Sequence, residues 1–300
     1  MPPMISVIIP AYNRAATIFR AIQSVLVQSF QDFEVIVVDD GSTDSTCDIV
    51  KNAPDQRIYL LRHEKNLGAA AARNTGMKAA RGAYIAWLDS DDEWMPEKLE
   101  IQLQALMKAS PDQKASCTAF ELSENGSLRI YTPEHTDYRK MFLKCNQAPG
   151  STLLFESSML DEIGYLDVSM RRYEDWDWIL RYGAKYRFLA VDQPLSKVHF
   201  SPDRSSIQVE TSAKTFISKY SETLRQFGVY RNRVISRRWV DVSSYYAREH
   251  KILKTLYFLA KGFIMYPFHS LDVWAWVING WFNIKIGSKL RIKNRMKHHP

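Results

Sequence analysis

The sequence predicts an α/β protein, a doubly wound and mostly parallel sheet followed by a helical C-terminal extension. Three observations predict it. Short β-branched runs alternate with helical patterns of ten to fifteen residues through the first hundred positions, the order that builds parallel sheets. Two of those strands run straight into clustered carboxylates, Asp39-Asp40 and Asp89-Ser90-Asp91-Asp92. From about Val209 onward the pattern is helical only.

Taken in order, residues 5–10 form a first strand and residues 15–29 a helix, with Ile18, Phe19, Ile22, Val25 and Leu26 recurring at helical spacing. Residues 34–39 are a second strand, and Gly41-Ser42-Thr43-Asp44-Ser45 a turn and helix cap. Residues 57–62 are a third strand, and an alanine-rich helix runs from Leu67-Gly68 to Arg81-Gly82. Ala83-Tyr84-Ile85-Ala86-Trp87-Leu88 is a fourth strand, apolar enough to be buried on both faces. Beyond it come a helix over 96–109, a strand over 115–122, a hairpin turn at Asn125-Gly126, and a loop and strand over 149–156. A helix starts near Tyr173, and two short strands occupy 188–191 and 195–198.

In such a sheet the ligand sits beyond the carboxyl ends of the strands. Ala11-Tyr12-Asn13, Asp39-Asp40 and Asp89-Ser90-Asp91 all fall there. One acidic strand exit is ordinarily a solvated loop. Two on a shared edge look like a site, and three carboxylates within four residues suit a hard divalent cation such as Mn2+ or Mg2+, which prefers oxygen ligands.

Composition limits the alternatives. The 300 residues are 46% hydrophobic and 24% charged, a globular balance, and fit one large domain or a domain with an appendage. Cys47, Cys117 and Cys145 are scattered, which argues against a zinc ribbon or a disulfide framework and suits a reducing compartment. Met1 to Pro10 reads as a first strand and not a leader, and no apolar run reaches the ~18 residues of a membrane span. The expected location is therefore the cytoplasm, with the inner face of the membrane as a variant. The formal charge of +7 is concentrated after Asp272, where Lys285, Lys289, Arg291, Lys293, Arg295 and Lys297 face no acid. No nucleic-acid-binding module accompanies that charge, and nucleic acid is not an expected partner.

Five segments together resemble glycosyltransferase family 2, with its GT-A fold. They are Val7-Ile8-Ile9-Pro10-Ala11-Tyr12-Asn13, Val38-Asp39-Asp40-Gly41-Ser42-Thr43-Asp44, Asn66 to Asn74, Leu88 to Asp92, and Glu174-Asp175. They stand in family order and cover roughly residues 4–200. The resemblance implies an inverting, metal-dependent transferase. It would move a sugar from a nucleotide-diphosphate sugar, UDP-linked by resemblance and with GDP or dTDP as alternatives, to a saccharide or lipid-linked acceptor in cell-surface polysaccharide or glycolipid synthesis. By similarity Asp91 ligates the metal, with Asp89 at the metal or sugar and His199 as a further candidate ligand. Pro10, Ala11, Tyr12, Asn13, Asp40, Arg73, Asp89 and Ser90 surround the nucleotide sugar, Tyr12 stacking on the base and Asp40 accepting from it. Asp175 matches the catalytic base. Glu174 and Asp177 compete with it, but Asp177 lies two residues on and faces elsewhere on a helix. Lys197 replaces the arginine expected near His199.

Residues 1–110 are then the nucleotide-sugar half and 111–208 the acceptor side of one domain, with 209–300 a helical extension. The rivals are weaker. A nucleotidyltransferase needs a glycine- and cation-rich loop after the first strand, and an oxidoreductase a Gly-x-Gly-x-x-Gly; neither is present. A catalytically degenerate nucleotide-sugar-binding scaffold is the non-enzyme alternative. In the extension, Leu253, Leu256, Tyr257, Phe263 and Ile264 form a stripe. It reads either as packing onto a core, the commoner use, or as peripheral contact with an anionic membrane, with Trp274, Trp276, Trp281, Phe282 and the basic tail following.

Overall fold

A computed structural model describes residues 1–124, 127–133, 138–143, 149–199 and 205–267. The chain forms two compact units, Met1–Pro202 and Asp203–Pro300.

The first unit opens with strand β1 (Ile5–Ala11), helix α1 (Ile18–Leu26), strand β2 (Phe33–Asp39), helix α2 (Thr46–Lys51), strand β3 (Ile58–Arg62), helix α3 (Ala69–Ala79) and strand β4 (Tyr84–Trp87). Helix α1 is shorter than its apolar pattern suggests. The Arg14 and Ala15 amides are engaged outside any helix, donating to Thr46 Oγ1 at 2.7 Å and to Asp44 Oδ2 at 3.1 Å. Next come β5 (Glu93–Trp94), α4 (Lys98–Met107), β6 (Ala115–Glu124), β7 (Ser127–Tyr131), α5 (Tyr138–Met141), β8 (Leu153–Glu156), α6 (Met159–Glu162), α7 (Glu174–Gly183) and β9 (Phe188–His199). The turn expected at Asn125-Gly126 lies outside the described residues. The strands that flank it pair antiparallel, Glu124 opposite Ser127, as a hairpin requires.

These strands make one nine-stranded sheet in the order β3-β2-β1-β4-β8-β6-β9-β5, with β7 on β6. The β3-β2-β1-β4 half is parallel, while β8 runs antiparallel to β4 and to β6. Residues 188–198, expected as two strands, form one. Pro194 cannot donate to the ladder, and the pairing with β6 shifts register there instead of ending, from Thr118↔Val191 to Ala119↔Pro194 to Phe120↔Ser196.

Side-chain alternation divides the core. On β1, Ile5, Val7, Ile9 and Ala11 join one apolar cluster with Ile18, Ile22 and Val25 of α1 and Leu99, Leu103 and Leu106 of α4. On the other face α3 comes in close, because Gly76 has no side chain: a Cβ there would stand 2.5 Å from Ile8 Cγ2.

The second unit contains α8 (Ser206–Lys219), α9 (Ser221–Gln226), α10 (Val229–Arg248) and α11 (Ile252–Met265). Ser205 and Gln208 close a capping box at the start of α8. Helix α11 meets α10 through Phe258, which stacks on Tyr246 at 5.5 Å and Trp239 at 5.6 Å, and through Gly262, whose carbonyl accepts from Ser236 Oγ at 2.6 Å. The packing reading of the α11 stripe is corrected here. Thr255, Phe258 and Gly262 are the buried side, whereas Leu253, Leu256, Tyr257, Phe263 and Ile264 are exposed. Trp274, Trp276, Trp281, Phe282 and the basic tail lie outside the described residues. Among the described residues no helix is long and apolar enough to cross a membrane.

Candidate active site

Strand order reverses between β1 and β4, the place where open parallel sheets hold ligands. The exits of β1, β2 and β4 meet there, and the sequence-predicted residues separate into three groups.

At the exit of β4 the acidic trio is sorted by one serine. Ser151, fully buried in the 3-10 turn Gly150–Thr152, accepts from the Asp89 amide at 3.0 Å and donates to Asp92 Oδ2 at 2.5 Å. Its carbonyl takes Trp94 Nε1 at 2.7 Å and Ser196 Oγ at 3.0 Å. Asp92, whose place four residues before Pro96 suits the solvated start of the next helix, is instead buried and also accepts from the His199 amide at 2.8 Å. Burial, then the charges of Asp89 and Asp91, push its carboxyl well above the usual range. Ser90 is buried between them. Asp91 is partly buried, with Arg14 Nη2 3.8 Å from its Oδ2 and Arg20 Nη2 donating to its carbonyl at 2.6 Å. The His199 ring lies on Glu93, Nε2 to Oε1 at 2.9 Å, with Arg20 Nε 3.2 Å and Lys197 Nζ 3.9 Å from the same oxygen.

The second group joins α3 to α7. Arg73, buried, places one terminal nitrogen on Asp89 and the other 3.4 Å from Glu174 Oε1. Asp175 follows, with Oδ1 accepting from the Trp176 amide at 2.7 Å. Burial and then the neighbouring Glu174 raise its carboxyl to about 6, with Arg73 pulling the other way. Helix α7 is docked on the sheet by aromatic packing: Trp178 lies 5.4 Å from Trp87 of β4 and 4.5 Å from Phe155 of β8. Tyr173 enters the helix in the left-handed region, φ 68°, with its ring buried 5.6 Å from Trp176. Asp177 is removed from the site, as expected, by an ion pair with Arg181 at 2.9 Å.

The third group is at the exits of β1 and β2. Tyr12 leaves β1 with 41% of its surface exposed. Pro10 and Ala11 end the strand beside it, the Ala11 carbonyl accepting from the Asp40 amide at 2.7 Å. Asn13 braces the following loop, its carboxamide oxygen accepting from the Thr43 amide at 2.9 Å. Asp40 is buried and accepts from the amides of Leu67 at 2.9 Å and Gly68 at 2.7 Å, and bonds His63 Nδ1 at 2.7 Å. With two contacts on Oδ1 and one on Oδ2, one of its roughly four lone-pair positions remains. His63 Nε2 continues to Thr75 Oγ1 at 2.9 Å. His63, Ser151, Arg20 and Glu93 were missed at the sequence level. His63 belongs to no motif, and Ser151 follows a proline and glycine that read only as loop.

A strand-order reversal lined by carboxylates, with a second carboxylate helix tied to it through a buried arginine, defines a GT-A-type glycosyltransferase. Comparison with known proteins agrees: residues 6–159 match the glycosyl transferase family 2 model, and the chain belongs to that family. It is 28% identical over 269 residues to the Escherichia coli UDP-Glc:alpha-D-GlcNAc-diphosphoundecaprenol beta-1,3-glucosyltransferase WfaP, covering 90% of this chain and 98% of that protein. Its fold is similar to that of S. aureus TarS 1-349 in complex with UDP, with TM-score 0.57 at 18% identity over 88% and 91% of the two chains. It is also similar to the mannosyltransferase PcManGT from Pyrobaculum calidifontis in complex with GDP-Man and Mn2+, with TM-score 0.59 at 18% identity over 97% and 83%.

Proposed function

We propose that the chain is an inverting transferase that moves a sugar from a UDP-sugar to a hydroxyl of a lipid-linked saccharide, in the synthesis of a cell-surface polysaccharide. The observation that carries this reading is the Arg73 bridge, which ties Asp89 at the donor end to Glu174-Asp175 at the acceptor end. The name of the relative WfaP supports the UDP-linked donor and the lipid-diphosphate acceptor. On this reading the reaction runs in the cytoplasm at the inner face of the membrane, where a nucleotide-sugar donor would meet a lipid-linked acceptor. Residues 1–110 serve the donor and the rest of the first unit the acceptor, and the second unit, which begins at Asp203 and not at the expected residue 209, is an extension.

The Tyr12 ring stacks on the base, and the remaining lone pair of Asp40 accepts its imide N–H. Asp175 accepts the proton of the acceptor hydroxyl as that oxygen attacks the anomeric carbon. The bond to the nucleoside diphosphate breaks on the opposite side, so the configuration inverts without a covalent intermediate. A base near 6 is ionised at neutral pH yet stronger than an exposed aspartate.

The residues fit a divalent cation. Asp89 and Asp91 are hard oxygen donors at the exit of β4, and behind them burial first and then their charges raise the carboxyl of Asp92, whose own oxygens are taken by Ser151 and the His199 amide. Among the described residues no three His, Cys, Asp or Glu side chains gather closely enough to hold a metal ion by themselves, so substrate oxygens would have to complete its coordination. Mg2+ is commonly held in this way, by one or two carboxylates together with substrate phosphates. Asp91 would hold it, with Asp89 beside it and His199 brought in only by leaving Glu93. Mn2+ or Mg2+ bound there supplies charge neutralisation at the departing diphosphate.

The test is transfer to a lipid-diphosphate-linked GlcNAc from a panel of nucleotide sugars with Mn2+. Asp175→Asn is expected to lose about 10²–10⁴-fold in kcat while still binding donor, and Asp91→Ala to lose activity and metal-dependent donor binding. Full turnover in both variants would sink the mechanism.

A further inference from the structure

Helix α11 has an apolar face that the fold does not use. Ile252 is 67% exposed, Leu253 85%, Leu256 45%, Tyr257 58%, Phe263 51% and Ile264 81%. At 3.6 residues per turn these six fall on one arc of about 140°, opposite the side packed on α10. Patches of this kind mark interaction surfaces.

Charge identifies what covers the face. Lys254 and Lys261 border it on one edge, and residues 252–267 contain no acid. Both lysines lie against aromatic rings, Lys261 Nζ 3.9 Å from the Trp239 centroid and Lys254 Nζ 5.8 Å from that of Tyr246. Their charged heads therefore lie over rings of α10, on the edge where the apolar face meets that helix, the place cations take in helices that lie in a lipid interface. A second copy of the chain would bring two lysine edges together with no carboxylate on α11 to answer them. The chain is uncharged over 273–284 and cationic from Lys285, so its basic tail is repelled by the same edge. At about 1.5 Å per residue, fourteen residues span roughly 21 Å, short of a ~30 Å hydrocarbon core.

We propose that this face of α11 docks in the plane of an anionic lipid surface, with Leu253, Leu256, Phe263 and Ile264 entering the acyl boundary and Lys254 and Lys261 pairing with lipid phosphates. The inference stands on the second unit alone and does not rest on the donor site.

The test is flotation of the full chain with vesicles of phosphatidylcholine, alone or mixed with phosphatidylglycerol, without any sugar donor. Binding to the mixed vesicles that weakens with added salt is expected. The exposed double variant Leu253→Asp/Ile264→Asp should keep its melting temperature and lose on the order of tenfold or more in partitioning. Lys254→Glu/Lys261→Glu should lose the preference for anionic vesicles. Undiminished flotation of the Leu253→Asp/Ile264→Asp variant, or absence of flotation by the unaltered chain, overturns the proposal. A dimer in solution that this variant dissociates assigns the face to a second copy and overturns it equally.

Discussion

Arg73 Nη1 lies 3.4 Å from Glu174 Oε1 across 101 positions of sequence, and its other terminal nitrogen holds Asp89. One buried cation therefore fixes the start of α7 against the exit of β4, and it partly neutralises the carboxylates that the site concentrates. Both carboxylates in turn hold the guanidinium charged, raising its pKa against the penalty of burial.

Removing that cation leaves carboxylates uncompensated in a buried place. Arg73→Met is expected to destabilise the chain by about 3–5 kcal/mol, the usual effect of deleting one partner of a buried pair. Arg73→Lys keeps the charge but not the fork, since an ammonium cannot span two carboxylates in the guanidinium geometry. It should fold better than Arg73→Met while losing most of the activity. Denaturant unfolding and kcat/KM measured on both variants separate the two effects; equal activity of Arg73→Lys and the unaltered enzyme would show that the bridge does not position the base.

Asp175 gives the activity a pH limb. Its carboxyl is raised to about 6 in the folded protein, so kcat/KM should fall about tenfold per pH unit below that point and level off above it. Glu174 raises that value and Arg73 lowers it, which fixes the sign of a second experiment. Glu174→Gln removes a negative neighbour and should move the limb to lower pH. A limb already near 4 in the unaltered enzyme contradicts the assignment of Asp175 as a desolvated base.

Ser151 is expected to matter through the loop it holds. Ser151→Ala removes the donor to the buried Asp92 and the acceptor for the Asp89 amide, a loss of about 1–3 kcal/mol. Because the backbone of Asp89 moves with it, KM for the donor should rise more than the acceptor KM. Ser151→Thr restores the hydroxyl and should recover part of the loss. Parallel changes in both KM values would reduce Ser151 to a purely structural residue.

Much of this was legible because it is local. Short β-branched and apolar runs marked β1, β2 and β4, the last two ending in carboxylates, and the rule that parallel strands share an exit edge brought Tyr12, Asp40 and Asp91 together from the sequence. What was not legible depends on partners remote in sequence. Asp92 reads as a helix start until Ser151 and His199, 59 and 107 positions away, turn it inward. His63 belongs to no motif and becomes part of the site only when β3 lays it beside Asp40. The α11 stripe has the spacing of a core face, and periodicity cannot say which side α10 will cover.

Lys98 supplies a stability prediction independent of catalysis. It is fully buried in the first turn of α4, with Nζ donating to Gln102 Oε1 at 2.6 Å and 4.0 Å from the Trp94 ring centroid, and burial lowers its pKa well below the ordinary lysine value. In the unfolded chain the amine binds its proton up to about 10.4, whereas in the folded chain it releases it earlier. The unfolded state therefore binds more protons between the two values, and stability rises with pH across that window by up to about 1.4 kcal/mol per unit. Below the lowered folded value the dependence vanishes and the penalty is constant. Lys98→Met removes the titration whatever it does to the hydrogen bond, so its stability should be flatter with pH over the alkaline range than that of the unaltered chain. Chemical denaturation at several pH values up to about 10 measures the two slopes, and equal slopes would mean that Lys98 keeps its proton in the folded protein.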